Sequence, residues 1–234
     1  MIFYLLFLAI AILIGKHIYE ISNFNHNATL EQLQSANKED IFEHLKERKP
    51  LLIHNLGNKN EEYNQLSFKK LSDDNPGLII QDSNRYVSLK SFVDESQMYI
   101  NHNDTLCDIL RLNPLFDSVY SPFQSQIHCN KKYFMSLLKG KNMIPLEKNK
   151  HNLYLIHQIY GQSKLYLFNP KHVQDIVGKT NESIKKYGQK INLTQGLVLY
   201  IPVEWYYFYE SEDESIIGEI TSDNYFTVIY NNLR

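Results

Sequence analysis

The stretch GLVLYIPVEWYYFYE, residues 196–210, reads as a strand that ends at Pro202, a tight turn, and a second strand led by five consecutive aromatics, Trp205 to Tyr209. Trp205 is the chain's single Trp. Strand side chains alternate between faces, so Trp205, Tyr207 and Tyr209 are expected on one face and Tyr206 and Phe208 on the other. One reading makes this a core corner, and the other makes it the rim of a small-molecule site.

Working outward, KYFMSLL, NLYLIHQIYG, SKLYLFNP, SIIGEIT and YFTVIYNN are further short β-type runs, broken by Gly, Pro, Asn or charged residues. That pattern predicts an antiparallel sandwich or barrel from about residue 118 onward. The first half is mixed. NKEDIFEHLKER predicts a helix with Asn37 as N-cap, stopped by Pro50. PLLIHNLG and LIIQDS read as strands, SLKSFVDESQMY and TLCDILRL as helices, and residues 58–77 as polar with one helical face, ending in an Asn75-Pro76-Gly77 turn. NFNHNAT and YINHND read as loops, and Glu212-Asp213-Glu214 as a solvated tip. With 17 Tyr and 12 Phe favouring strands, the expected fold class is mainly β with a helical, mixed N-terminal half.

The opening MIFYLLFLAIAILIG carries no charged side chain, and Lys16 ends the run. Extension through Ile18, Tyr19 and Ile21, with Lys16 and His17 snorkelling, favours an uncleaved signal anchor over a cleaved signal or a buried core helix. The expected layout is therefore a membrane helix over 1–22, a linker over 23–37 and one domain over 38–234. The chain is expected to be a single-pass membrane protein. Four sequons at Asn27, Asn103, Asn181 and Asn192, where chance supplies about two, lean the domain towards the lumenal or extracellular side. Cys107 and Cys129 are either one disulfide or two free thiols. A net charge of −2 and scattered Lys and Arg give no basic face, so no nucleic-acid partner is expected.

Four segments in order resemble the cupin-like JmjC family across residues 38–230: IFEHLKERKPLLIHNLG its entry, HQIYGQSKLYLFNP its central hairpin, GLVLYIPVEWYYF its last metal-bearing corner, and YFTVIYNN its closing strand. The resemblance implies a double-stranded β-helix of the jelly-roll type. It also implies Fe(II) held by His-x-Asp/Glu and a distant His, leaving three positions for 2-oxoglutarate and dioxygen. A basic side chain would pair with the far carboxylate of the cosubstrate. Carried onto this chain, the distant His falls on Tyr207, a poor Fe(II) ligand as a neutral phenol. The His-x-Asp/Glu pair falls on Lys148 and Lys150 in one register, or on Leu146 and Lys148 in the other. The cosubstrate Lys falls on Ser163, with Lys164 one residue along and therefore on the opposite face. The Asp that follows the corner Gly is Leu197 here.

With all three requirements unmet, the expected protein is a membrane-anchored, JmjC-like domain that has lost its iron site. It is expected to hold neither Fe(II) nor 2-oxoglutarate, and to bind an unknown protein or small molecule. Lys148, Lys150, Lys164, Trp205 and Tyr207 are its candidate pocket residues, the lysines raising the idea of a bound anion. One rival is a working 2-oxoglutarate-dependent hydroxylase with relocated ligands, such as Glu147, His151 and His157. His151 and His157 are equally readable as ordinary strand residues, since they match no recognised metal spacing. Another rival is an unrelated jelly-roll module that binds carbohydrate or protein. His128 beside Cys129 has no second pair to complete a metal site.

Overall fold

The computed structural model describes residues 2–22, 25, 27–35, 37–57, 65–82, 85–125 and 128–233. In chain order, the first half holds α1 (Ile2–Ser22), β1 (Glu31–Leu33), α2 (Lys38–Glu47), β2 (Leu51–Ile53), α3 (Phe68–Asp74), β3 (Ile79–Asp82), β4 (Arg85–Ser88), α4 (Leu89–Asp94), β5 (Met98–Asn103), α5 (Asp104–Ile109) and α6 (Asn113–Tyr120). The second half holds β6 (His128–Lys139), β7 (Asn142–Met143), β8 (Glu147–Lys148), β9 (Leu153–Phe168), α7 (Val173–Ile176), α8 (Asn181–Ile184), β10 (Gln189–Thr194), β11 (Val198–Tyr200), β12 (Tyr206–Ser211), β13 (Ser215–Asn224) and α9 (Tyr225–Leu233). Among the described residues, eleven strands join in one large sheet, and β3 and β4 form a separate pair.

The long strand β9 organises that sheet. Its first half pairs with β11 on one side and β13 on the other, within the order β1-β2-β11-β9-β13-β6-β5. Its second half leaves that set and pairs instead with β10 and β12, and β12 carries β7 and β8 on its far edge. The change of partners falls at Gly161, whose φ of +71° is a left-handed value that costs Gly nothing. A Cβ there would run into the carbonyl of Glu214. The sequence around Gly161 predicts a hairpin turn between two runs. The chain instead bends and continues as one 16-residue strand.

Strand alternation sorts the apolar side chains into two layers. Leu153, Leu155 and Ile159 of β9, with Val198, Tyr200, Ile216 and Ile220, pack against the helices of the first half, including Phe68, Phe92, Phe116 and Phe123. The opposite faces contribute Tyr154, Ile156, Leu165, Leu167, Leu199, Trp205, Tyr207 and Tyr209 to a second core. Tyr206 and Phe208 join a third cluster with Tyr166 and Phe168 outside it. The alternation expected of residues 205–209 is the one observed. Each such side chain, fully buried, contributes roughly 1.5–3 kcal/mol.

Local signals explain most helix ends. The Asn37 side chain accepts bonds from the Glu39 and Asp40 amides, and α2 ends three residues before Pro50, with Arg48 left-handed. Two expectations need correction. YFTVIYNN forms the helix α9, because the Asn224 carboxamide accepts from the Thr227 amide and caps a helix where aromatic content suggests a strand. YINHND forms most of β5 and is not a loop. NPLFDSVY adds the helix α6, with its Pro in the first turn. Together these make the chain a mixed helix/sheet protein. Of the segment 58–77, expected to carry one helical face, Phe68–Asp74 forms α3, and residues 58–64 lie outside the described residues, as do parts of the 23–37 linker.

Within α1, Phe3–Glu20 has a mean hydropathy of 1.6 over 18 residues with none of that window buried, so the helix is long and apolar enough to cross a membrane. Cys107 is buried, Cys129 is exposed, and no disulfide joins them.

Candidate functional site

The corner that opens the sequence argument is latched from outside the strand. Residues 202–205 form a turn in which the Trp205 amide donates to the Pro202 carbonyl, and Glu204 at the third position takes a φ of +72°. That position favours Gly, so a Glu there is strained. The Asn149 carboxamide donates to the Ile201 carbonyl at 2.8 Å, and the Asn149 amide donates to the Trp205 carbonyl at 2.8 Å. This latch sets β8 beside β12, with Glu147 opposite Tyr207 and Lys148 opposite Tyr206.

What fills the interior there is a closed ring of hydrogen bonds. His102 contacts Glu147 Oε2 through Nε2 at 2.7 Å and Glu219 Oε2 through Nδ1 at 2.6 Å. The Tyr154 hydroxyl donates to Glu219 Oε2 at 2.5 Å. The Tyr207 hydroxyl reaches Glu147 Oε2 at 2.9 Å and the Tyr154 hydroxyl oxygen at 2.8 Å, which closes the ring. Four protons serve the five links: two from a charged His102 and one from each tyrosine. Tyr207 therefore donates to one of its two partners at a time. Outside the ring, Ser136 Oγ donates to Glu219 Oε1 at 2.6 Å, the Tyr209 hydroxyl donates to Asn101 Oδ1 at 2.7 Å, and Asn101 Nδ2 donates to Glu147 Oε1 at 3.2 Å.

Backbone irregularity aims His102 inward. The β5–β6 register shifts between Ile100 and Asn103, and His102 takes a φ of +48°. A bulge re-aims a side chain, and a left-handed non-Gly residue stores strain at such a place. The Ser136 hydroxyl accepts the His102 amide at 3.0 Å and holds the kink.

The electrostatics follow from burial and charge. Burial alone pulls the His102 imidazole down, but the Glu219 carboxylate and the bonds to Glu147 and Glu219 outweigh it and raise its pKa to about 11. Burial alone would raise the Glu219 carboxyl, but His102, Ser136 and Tyr154 hold it below its usual range. Burial, reinforced by these carboxylates, pushes Tyr154, Tyr207 and Tyr209 far above the ordinary phenol value. The ring is thus an imidazolium between two carboxylates, with neutral tyrosines.

Over the ring lies a cleft of about 210 Å³ lined by His102, Phe134, Glu147, Lys148, Asn149, Lys150, His151, Tyr154, Tyr207 and Thr221. Lys148 and Lys150 line it, and Lys148 is ion-paired with Glu204. Two candidate pocket residues need correction. Lys164 points to the outer face and pairs with Glu212, because alternation turns Ser163 inward and its neighbour outward. Trp205 is buried in the core behind Tyr207 and does not line the cleft. With Lys164 outside and Lys148 paired, Lys150 is the one of the three lysines that faces the cleft without the ion pair that Lys148 makes.

The residues do not fit a facial iron triad. Tyr207 is engaged with Glu147 and Tyr154, and Lys148 with Glu204, so the carried-over positions offer no set of converging ligands. Among the described residues, no group of three or more His, Cys, Asp or Glu side chains is placed to hold a metal. Of the relocated set, Glu147 and His151 line the same cleft while His157 does not. Glu147 belongs to the ring, His151 Nδ1 meets Asp223 Oδ2 at 2.8 Å, and His157 is buried against Gly57, where burial lowers its pKa to about 3. The His128 side chain lies outside the described residues, while the Cys129 thiol donates to the Asp223 carbonyl at 3.3 Å.

Sequence reasoning misses His102, Glu219, Tyr154, Tyr209 and Asn101. A single Glu inside the apolar run SIIGEIT is the one signal that could have found part of the ring, because a buried carboxylate demands a charged partner. No protein-family model matches the chain, and no curated protein matches it. Fold and site therefore define the class by themselves: a mixed helix/sheet protein with an apolar N-terminal helix, a large sheet and a charged hydrogen-bonded ring at the base of a cleft.

Proposed function

We propose that this chain is a membrane-anchored, JmjC-like domain of the double-stranded β-helix type, which has replaced an iron site by a structural polar ring and acts by binding rather than catalysis. One observation carries the reading: Tyr207, at the position where the resemblance places the distant His, sits opposite Glu147 and spends its hydroxyl on Glu147 and Tyr154. The β9 strand that serves both halves of the sheet supports the fold part of the proposal. A ring whose donors and acceptors mostly answer one another suits a rigid frame better than a reacting centre. The cleft above it is then the ligand or partner contact, with Lys150 exposed and His151 half-buried at its edge.

The test is metal content and 2-oxoglutarate turnover of the purified full chain in detergent. The proposal predicts no stoichiometric Fe(II) after anaerobic loading and no succinate above a boiled control. One iron per chain with succinate formation overturns it.

A further inference from the structure

We infer that the C-terminal helix α9 lies on the bilayer that α1 enters, with Tyr225 and Ile229 seated among the lipid headgroups. The inference rests on the anchor reading of α1. It begins with where α1 meets the rest of the protein. His17 Nε2 lies 2.9 Å from Thr227 Oγ1, and the His17 and Phe226 rings are 5.6 Å apart. Thr227 is fully buried, so α9 is pinned against the last turns of α1. Residues 3–13 of α1 stand exposed, clear of the domain.

Continuity then fixes depth. The apolar window Phe3–Glu20 runs past Lys16 and the His17 contact, and its 18 residues span roughly 27 Å at 1.5 Å per residue, close to a hydrocarbon core of about 30 Å. The membrane boundary therefore reaches His17 and whatever is packed on it. What is packed on it suits an interface. Tyr225 is 69% exposed and Ile229 42% exposed, one helical turn apart, and Tyr19 is 68% exposed at the same end of α1. Residues 225–233 contain no charged side chain. Tyrosine prefers the headgroup level, and the same end carries Lys16, which pairs with Glu20 at 3.8 Å, and the exposed Lys46 beside Glu47.

The experiment uses the full chain in phosphatidylcholine/phosphatidylserine vesicles, in a Cys129→Ser background with Cys107 buried. An environment-sensitive fluorophore is attached at Ile229→Cys, at Tyr225→Cys in a second variant, and at Asp213→Cys at the opposite end of β13. The inference predicts blue-shifted emission at 229 and 225, with at least twofold stronger quenching by spin-labelled lipid than at 213. Carbonate extraction runs in parallel. If the chain stays in the membrane pellet while iodide quenches 229 and 225 as strongly as 213, the inference is overturned and the anchor stands. Release of the chain by carbonate overturns the anchor and the inference with it. Protection of 229 from both quenchers that grows with protein density assigns the face to a second copy, and also overturns it.

Discussion

Glu219 is the residue on which the interior turns. It is fully buried, and its carboxylate accepts bonds from His102, Ser136 and Tyr154. Replacing one partner of a buried ion pair strands the other, at a cost of about 3–5 kcal/mol. Glu219→Ala should lose that much in urea denaturation, whereas Tyr207→Phe, which removes one hydroxyl, should lose about 1–3 kcal/mol. Equal losses for the two would mean that the charge pair has no special weight. The pH dependence has a definite sign. His102 is raised from 6.5 to about 11, so its contribution is complete below about 6.5, shrinks as pH climbs and is gone above about 11. Glu219 is lowered from 4.5, so its contribution is complete above about 4.5 and is lost as pH falls through its folded value. Denaturation from pH 6 to 10 should show stability falling with pH in the native protein, with a shallower slope in His102→Gln. Parallel slopes would refute the assignment.

At the scale of elements, β9 and its bend at Gly161 decide whether the two halves of the sheet share a strand. Gly161→Ala must place a Cβ against the Glu214 carbonyl at a left-handed φ, so it should destabilise by more than the roughly 1 kcal/mol of an ordinary Gly-to-Ala mismatch. An unchanged denaturation midpoint would contradict the bend. Asn37→Ala removes the cap of α2 and should cost about 1 kcal/mol by the same measurement. Much at this scale is readable from sequence, since period-2 alternation places Trp205, Tyr207 and Tyr209 together and propensity finds α2. The β5 kink is not readable. His102 enters the interior through a bulge and a left-handed φ, neither of which leaves a periodic trace in YINHND. YFTVIYNN misleads because β-propensity measures fit to a pleated surface, and the cap at Asn224 outweighs it. Glu219 and His102 lie 117 positions apart, by 219 − 102, so only the folded sheet reveals them as partners.

For the molecule as a whole, the apolar helix and the domain form one account. Removal of residues 2–16 should release the protein from carbonate-washed membranes while leaving its thermal unfolding nearly unchanged, because residues 3–13 touch nothing in the domain. Retention of the truncated chain in the pellet would show that α9 or another surface anchors it alone. The candidate site was half legible on this scale. The resemblance singles out Tyr207 in the sequence, but what surrounds it depends on His102 and Glu219, two charged residues delivered by β5 and β13.

The interior holds a charged imidazolium, His102, between the carboxylates of Glu147 and Glu219. The most direct measurement is ¹⁵N NMR of the histidine side chains at pH 8, repeated with one equivalent of Mn(II). The account predicts that His102 shows both ring nitrogens protonated and that its signals stay sharp when the metal is added. A neutral His102 ring whose signals broaden with substoichiometric Mn(II) would contradict it.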